Sequence, residues 1–225
     1  MSLRVFTFGN ILMNHFNFKQ MKNFVNMLTA CLVVSLTACS SDDSNDSVTE
    51  PDVENLVFEK TVPMPLPKAT QTNFNSPVIY GVATSSITVD RSGTIAKPWR
   101  VSVHLDMNSH YARQYTVELF APSGASIRLC ERVGGSFQSG NILTFNSGAV
   151  SPFPQNVNVI PTGTYLPSSG LIGPHQNNLG TFLQDKDISG QWTIKVTDYE
   201  IVDEDFPEDE KLNSWKLEFA ADALK

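Results

Sequence analysis

Short stretches in which apolar and polar residues alternate dominate the second half of the chain. Residues 99–107 read WRVSVHLDM, with Val101, Val103 and Leu105 in one phase and polar residues between them. Residues 115–120 (YTVELF) repeat the pattern. A period of two places successive side chains on opposite faces of a β-strand, so each stretch predicts a strand with one buried face.

Similar stretches recur along the rest of the chain at residues 85–89, 125–130, 142–145, 180–183, 191–198 and 214–219. Glycine- and proline-containing turn signals separate them, such as APSG at residues 121–124. This spacing predicts an all-β fold, a jelly-roll-like antiparallel β-sandwich of about eight strands. The predicted core comprises Ile87, Val89, Val101, Val103, Leu105, Val117, Leu119, Phe145, Phe182, Trp192, Ile194, Val196, Trp215, Leu217 and Phe219.

The N-terminal part has the three-part organisation of a secretory signal. Lys22 supplies the positive region, residues 27–36 are apolar, and LTAC at residues 36–39 resembles a bacterial lipobox. We therefore expect an over-extended start at residues 1–20, a lipoprotein signal peptide at 21–38 and acylation of Cys39. The alternatives are an ordinary signal peptide or a buried helix. Residues 40–46 (SSDDSND) resemble the export tag of surface lipoproteins, which indicates an outer-membrane location with surface exposure.

Composition also predicts where the folded domain begins. Residues 40–54 contain almost no apolar side chain, and residues 56–68 contain three prolines. Polar and proline-rich stretches favour disordered or extended chain. We therefore expect a disordered tether over residues 39–74 and a folded domain over residues 75–221.

Charge and cysteine content restrict the partners. All 23 acidic residues and 13 of the 16 basic residues follow residue 38, giving that part a net charge of −10. Such a surface disfavours nucleic acid and anionic lipid as partners. Cys130 stands alone after the signal segment, which predicts a buried free thiol and no disulfide framework.

Three stretches together resemble the P domain, also called Homo B, which follows the catalytic domain of kexin- and furin-like subtilisin proteases. They are APSG at 121–124, GQWTIKVTD at 190–198 and LNSWKL at 212–217, within a match over residues 75–220. The resemblance implies an eight-stranded jelly-roll sandwich. Its signature residues here are Pro122, Gly124, Gly190, Trp192, Asp198 and Trp215.

The chain departs from the family pattern at two points. Gln114 and Tyr115 stand where the family commonly has Asp-Leu before the Pro-Ser-Gly turn. Glu210 and Lys211 precede the last strand, where the family usually has glycine. We therefore expect this corner of the domain to be built differently.

Proteolysis in the P-domain family belongs to the neighbouring subtilisin domain. This sequence has no Gly-Thr-Ser-x-Ala run, no G-x-S-x-G elbow and no H-E-x-x-H motif. Downstream of the signal segment the histidines are His104, His110 and His175, and no local motif links them to a serine and an aspartate. We therefore predict no catalytic residues, with His104 as a solvated or capping side chain.

An acidic run is the most unusual local feature. Residues 198–210 (DYEIVDEDFPEDE) hold eight carboxylates and no base. Hard oxygen ligands suit Ca²⁺, which predicts a calcium site at Asp198, Asp203, Asp205 and Asp209. The alternative is a solvated, self-repelling hairpin loop.

Three functions fit these features. The first is a non-catalytic, membrane-tethered P-domain lipoprotein that binds another protein, such as a secreted protease. The second is a carbohydrate-binding or adhesion module, with Tyr111, Phe153, Tyr165 and Tyr199 as candidate loop aromatics. The third is a component associated with serine-type endopeptidase activity, which only the family resemblance implies.

Overall fold

The computed structural model describes residues 54–66, 68–132, 134–155, 157–168, 178–201 and 209–225. These residues form eleven strands and one short helix. The strands are β1 (Leu56–Lys60), β2 (Met64–Pro65), β3 (Gly81–Val89), β4 (Val101–Asn108), β5 (Tyr115–Phe120), β6 (Ser126–Glu131), β7 (Ile142–Asn146), β8 (Ser151–Pro152), β9 (Gly163–Leu166), β10 (Gly190–Asp198) and β11 (Lys211–Phe219). The helix is α1 (Leu179–Leu183), and two 3₁₀ turns cover Pro98–Arg100 and Ala112–Gln114.

The strands form two sheets that pack as a sandwich. The larger sheet has the order β1-β11-β4-β7-β9-β8, and β2 pairs with the beginning of β11. The smaller sheet has the order β3-β10-β5-β6 and is antiparallel throughout. The predicted all-β sandwich is confirmed. The strand number is higher than predicted, and β7–β9 and β8–β9 are parallel pairs in a mainly antiparallel fold.

Alternation along β4 follows the sequence prediction. Val101, Val103, Leu105 and Met107 are buried, and the residues between them face outward. In β11 the phase changes at Asn213, where a bulge shifts the register with β4 between Leu212 and Ser214. The bulge lets both Leu212 and Trp215 point inward although an odd number of positions separates them.

The core lies between the two sheets. All the predicted core residues are buried except Phe182, which packs against the core while remaining partly exposed. The largest buried side chains are Trp192 and Trp215. The Trp192 indole N–H donates to the Ile188 carbonyl at 2.8 Å, and the Trp215 indole N–H donates to Ser85 Oγ at 3.0 Å. The indole N–H of each tryptophan therefore has a hydrogen-bond acceptor although the ring is buried.

The predicted boundary of the tether is wrong for the described residues before residue 75. Within the predicted tether, β1 pairs with β11 from Leu56–Phe219 to Lys60–Trp215. Leu56 and Phe58 pack against the core, and Leu66 and Ala69 are buried. Leu56 and Phe58, two positions apart on the inner face of β1, stabilise this segment although its polar and proline-rich surroundings suggested disorder. The folded part also continues past residue 221, since Ala223 is buried.

The stretch predicted as a strand at residues 180–183 is instead α1. Asn178 begins this helix, and its side-chain oxygen accepts the Thr181 N–H at 3.0 Å. This N-cap satisfies a helix donor that a strand would have to pair with a neighbour. The local capping interaction therefore overrides the short apolar pattern.

The predicted start, signal peptide, Cys39 and the first part of the tether lie outside the described residues. No helix within the described part is long and apolar enough to cross a membrane. Cys130 is buried as a free thiol, as predicted. Burial raises the pKa of this thiol to about 12, which keeps it in the unreactive protonated form at neutral pH.

Candidate functional site

The acidic run that predicted calcium binding connects β10 to β11. Asp203 and Asp205 lie outside the described residues, whereas Asp198 and Asp209 mark the two ends of the loop. Asp198 is the last residue of β10 and is buried. Asp209 lies two residues before β11 and is exposed. The two carboxylates therefore lie in different environments.

Asp198 fastens the chain before β3 to the end of β10. One carboxylate oxygen accepts the Ala69 N–H at 3.0 Å, and the other accepts the Glu200 N–H at 3.0 Å. Burial raises the pKa of Asp198 above its usual value, and the two N–H donors offset part of that increase. Both oxygens thus already have protein partners.

Glu210 forms a second buried contact at the same corner. Its Oε1 accepts Ser109 Oγ–H at 3.0 Å and the His110 N–H at 3.1 Å, and its Oε2 accepts the Tyr115 hydroxyl at 2.6 Å. We call Glu210, Ser109, His110 and Tyr115 the Glu210 clasp. Burial, followed by the hydrogen bond to Glu210, raises the pKa of the Tyr115 hydroxyl far above its usual value. The clasp joins the beginning of β11 to the loop between β4 and β5.

The two departures from the P-domain pattern meet in this clasp. Tyr115 and Glu210, which mark the two points where the sequence departs from the pattern it resembles, hydrogen bond to each other through their side chains. No local sequence pattern predicts the pairing, because 95 residues separate the two positions. Glu210 is only 5% exposed although it belongs to a run that looks fully solvated.

Asp209 contacts neighbours other than Asp198. Asn108 Nδ2 donates to its Oδ2 at 3.2 Å, and His110 Nε2 lies 3.5 Å from its Oδ1. Among the residues that the structure describes, no three His, Cys, Asp or Glu side chains are grouped so as to hold a metal ion. The calcium site therefore stays a prediction.

His104 lies between a hydroxyl and a carboxylate on the outer face of the larger sheet. Its Nδ1 is 2.9 Å from Thr144 Oγ1, and its Nε2 is 3.3 Å from Glu218 Oε2. Burial and the nearby Lys216 ammonium lower the pKa of His104, and Glu218 opposes that shift. The prediction of a solvated or capping role is wrong, because the ring bridges side chains of two neighbouring strands.

The order hydroxyl, imidazole, carboxylate alone does not make a nucleophilic site. Thr144, His104 and Glu218 lie in β7, β4 and β11, and each of these strands is paired on both sides. Their backbone N–H groups are committed to sheet ladders, so none is available there to stabilise an oxyanion. His110 lies in the Glu210 clasp, and His175 lies outside the described residues.

Signature residues of the P-domain resemblance form a turn and a packing contact in the structure. Gly124 has a φ of +81°, and its N–H donates to the Ala121 carbonyl at 2.9 Å to close the turn that contains Pro122. Gly190 has a φ of +108°, and a Cβ there would lie 2.9 Å from Pro122 Cβ. Pro122 and Gly190, distant in sequence, thus pack against each other at one end of the smaller sheet.

An exposed apolar surface lies at the beginning of β3. Tyr80 is 51% exposed and Val82 is 50% exposed, and the Tyr80 ring lies 4.7 Å from the Tyr199 ring. Ile79, which precedes Tyr80 and pairs through its backbone with Thr70, and Ile201, two residues after Tyr199, are also exposed. We call Ile79, Tyr80, Val82, Tyr199 and Ile201 the edge patch. Because β3 is the last strand of the smaller sheet, the patch lies at a sheet edge.

The edge strand beside this patch lacks the usual protection of sheet edges. The nine residues of β3 (GVATSSITV) contain no charged residue and no proline, and their register with β10 is unbroken. Natural edge strands are commonly shielded by charge, proline or a bulge. β3 shows none of these three features.

Two of the four aromatic residues proposed for glycan binding are buried. Phe153 stacks on Phe145 and meets the Tyr165 ring edge-on in the core, so the prediction that Phe153 and Tyr165 are exposed loop aromatics is wrong. Tyr199 packs in the edge patch, and Tyr111 lies under the Arg113 guanidinium at 5.6 Å. Sequence reasoning missed Trp99, which is exposed although it continues the apolar phase of β4. It precedes the strand in the 3₁₀ turn that Pro98 begins.

The described residues define the chain as a two-sheet β-sandwich protein. No protein-family model and no curated protein matches it. Among solved structures it is similar to the serine protease of Aeromonas sobria, at 14% identity and a TM-score of 0.35, and to the Aeromonas sobria serine protease in complex with the chaperone ORF2, at 12% and 0.34. Each match covers 73% of this chain, which spans 27% and 26% of the other chains.

Proposed function

We propose that this chain is a non-catalytic β-sandwich of the bacterial cell envelope that binds another protein through the edge patch. The observation that carries the proposal is the exposure of Tyr80 and Val82 beside an uncharged edge strand. Aromatic and aliphatic side chains gathered on a surface are typical of the centre of a protein interface. If the sandwich functioned alone, charged residues at these positions would make it more soluble. The apolar residues found there instead favour contact with a partner.

The proposed contact lies at the first half of β3, beside Tyr80 and Tyr199, although Thr88 in its second half is also exposed. β1 and β2 of the larger sheet lie close to β3, and Trp215 from the core reaches Ser85. Val82 and Thr84 are exposed, whereas Ser85 and Ser86 are half-buried. The proposed partner therefore contacts Tyr80 to Thr84 and the neighbouring Tyr199 and Ile201.

The proposed location rests on the N-terminal sequence. A signal peptide at residues 21–38 and acylation of Cys39 would hold the sandwich at the outer membrane, since each buried methylene of an acyl chain contributes about 0.8 kcal/mol to anchoring. Metabolic labelling with a palmitate analogue tests this. Label should be lost in Cys39→Ser and retained in Cys130→Ser, the matched control. Equal labelling of both variants would exclude the anchor.

The proposed partner class rests on the P-domain resemblance of residues 75–220. Domains of that family accompany subtilisin-like proteases, so we propose a secreted serine protease as the partner. Serine-type endopeptidase activity then belongs to the partner and not to this chain. Purified chain should leave fluorogenic peptides intact. Hydrolysis that a serine-protease inhibitor abolishes would reverse this assignment.

Calcium is a separate part of the proposal. Asp198, Asp203, Asp205 and Asp209 would supply oxygen ligands, and binding would relieve repulsion among the carboxylates of the loop. Calorimetric titration of the purified chain with CaCl₂ tests it, with Asp209→Asn as the variant because Asp198 already accepts two backbone N–H groups. Absence of heat and of any melting shift at millimolar calcium would remove the proposal.

Site-specific crosslinking tests the edge patch directly. A photoreactive phenylalanine analogue replaces Val82 in the full-length protein in its native bacterium, and a second strain carries it at Glu59 as control. Glu59 is exposed on β1, in the other sheet. We expect an adduct with a second protein at position 82 only, and its loss when Tyr80→Lys is added. Equal adducts at both positions, or none at 82, would refute the proposed surface.

A further inference from the structure

We infer that the groove beside Trp99 is a binding site for an uncharged oligosaccharide, separate from the edge patch. The groove has a volume of about 560 Å³, within the range of about 300–1,000 Å³ typical of small-ligand sites. It runs between the 3₁₀ turn at Pro98–Arg100 and helix α1. Its polar lining consists of Ser147, Asn178, Thr181 and Gln184.

Trp99 forms the apolar wall and is 55% exposed. The other two tryptophans are buried and their indole N–H groups are hydrogen bonded, so Trp99 differs from them in its exposure. A tryptophan ring offers a large rigid surface to a ligand at low conformational cost. The groove thus presents an indole to solvent.

The backbone around Trp99 is fixed before any ligand binds. The Asn146 side-chain amide donates to the Trp99 carbonyl at 3.2 Å and to the Val101 carbonyl at 3.0 Å. Asn146 Oδ1 in turn accepts the Gly148 N–H, and a Cβ at Gly148 would lie 3.1 Å from Trp99 Cβ. The loop after β7 therefore packs closely on Trp99. A site whose backbone is already positioned loses little entropy when it binds.

The opposite wall is formed by α1 and its two flanking residues, Asn178 and Gln184. Asn178 caps the helix, and a Cβ at Gly180 would lie 3.1 Å from the capping Asn178 Oδ1 and in ordinary contact with Ser147. Thr181 and Gln184 are exposed on this wall. Hydroxyl and amide groups that face an aromatic ring can bind sugar hydroxyls while the ring stacks on the C–H face of a pyranose.

The charge of the lining selects the class of ligand. None of the described residues that line the groove is charged. Lys97 and Arg100, on either side of Pro98 and Trp99, both pair with Asp222, at 2.8 and 2.7 Å. A phosphate, a sulfated sugar or a charged peptide would lack a counter-charge here. An uncharged glycan fits the hydroxyl and amide groups of the described lining.

Titration of the full-length protein with oligosaccharides tests the inference. The probes are cellohexaose, maltohexaose, mannohexaose and xylohexaose, together with an array of neutral and acidic glycans. Binding should shift tryptophan fluorescence, and Trp99→Ala should weaken it about tenfold or more, as expected for loss of a stacked ring. Gln184→Ala should weaken it less, since one hydrogen bond is lost.

The matched control is Phe74→Ala. Phe74 is 94% exposed, lies outside the groove lining and should leave glycan affinity unchanged. Circular dichroism of Trp99→Ala should match the parent, because the ring is largely outside the core. Binding that survives Trp99→Ala, selectivity for acidic glycans, or no binding to any probe would overturn the inference. None of these results bears on crosslinking at Val82, so the two proposals fail independently.

Discussion

Removing the Glu210 carboxylate is the sharpest test of the structure at the end of the sandwich. Glu210→Ala leaves three donors without their acceptor: the Tyr115 hydroxyl, Ser109 Oγ–H and the His110 N–H. Tyr115 and Ser109 are buried, so water cannot readily replace the carboxylate. Each buried donor left unpaired costs about 1–3 kcal/mol.

The net cost should be smaller than the sum of these penalties. Glu210 is itself a buried carboxylate, and its charge contributes to the raised pKa of the nearby Asp198. Its removal relieves that repulsion and the cost of burying a charge. We therefore expect Glu210→Ala to lower the free energy of unfolding by about 3 kcal/mol. Tyr115→Phe should cost about 1.5 kcal/mol, because it leaves only Glu210 Oε2 unpaired.

Urea denaturation followed by tryptophan emission measures both variants. The double variant Glu210→Ala with Tyr115→Phe should cost less than the two single changes together, because both remove the same hydrogen bond. Glu59→Ala is the control and should change the free energy by less than about 0.5 kcal/mol, as is usual for an exposed site. If Glu210→Ala costs less than about 1 kcal/mol, or if the effects of the two changes are additive, the hydrogen bonds of the Glu210 clasp do not stabilise the fold as argued here.

Three further predictions concern other parts of the fold. Thr116→Val should raise the free energy of unfolding by about 1 kcal/mol in urea denaturation, since the buried Thr116 hydroxyl has no hydrogen-bond partner among the described residues. A loss of stability instead would show that the hydroxyl makes a hydrogen bond. Because the pKa of His104 is lowered on folding, stability should fall as pH drops below about 6.5, and His104→Gln should flatten that part of a melting-temperature profile. An unchanged profile would contradict this. Gly190→Ala should cost about 2–3 kcal/mol, because its φ of +108° and the nearby Pro122 both disfavour a Cβ, whereas Ala at Gly124, which has open space, should cost less by the same assay.

The sequence predicted the central strands well because their burial is set by short-range alternation. Val101, Val103 and Leu105 are two residues apart, so their common face could be read without knowledge of their partners. β1 was missed because its five residues lie between a polar stretch and a proline-rich one. Its stability depends on pairing with β11, which lies far along the chain.

The candidate sites were harder to predict because their residues meet only in three dimensions. Glu210 looks like one of many solvated acids until Tyr115 is seen beside it. Trp99 continues the apolar phase of β4, but Pro98 places it in a turn outside the strand. In both cases a local pattern suggested one environment and a distant neighbour or a backbone turn imposed another.

The position of β1 determines how the sandwich would respond to mechanical tension. The chain enters at Leu56, which is paired with Phe219, and β1 is held by a ladder on one side only. A pull transmitted through the residues before Glu54 would reach this short ladder before any other. β1 could peel away and lengthen the attachment while β11 stayed paired with β4. The strand would then serve as an extensible link that protects the rest of the molecule from force.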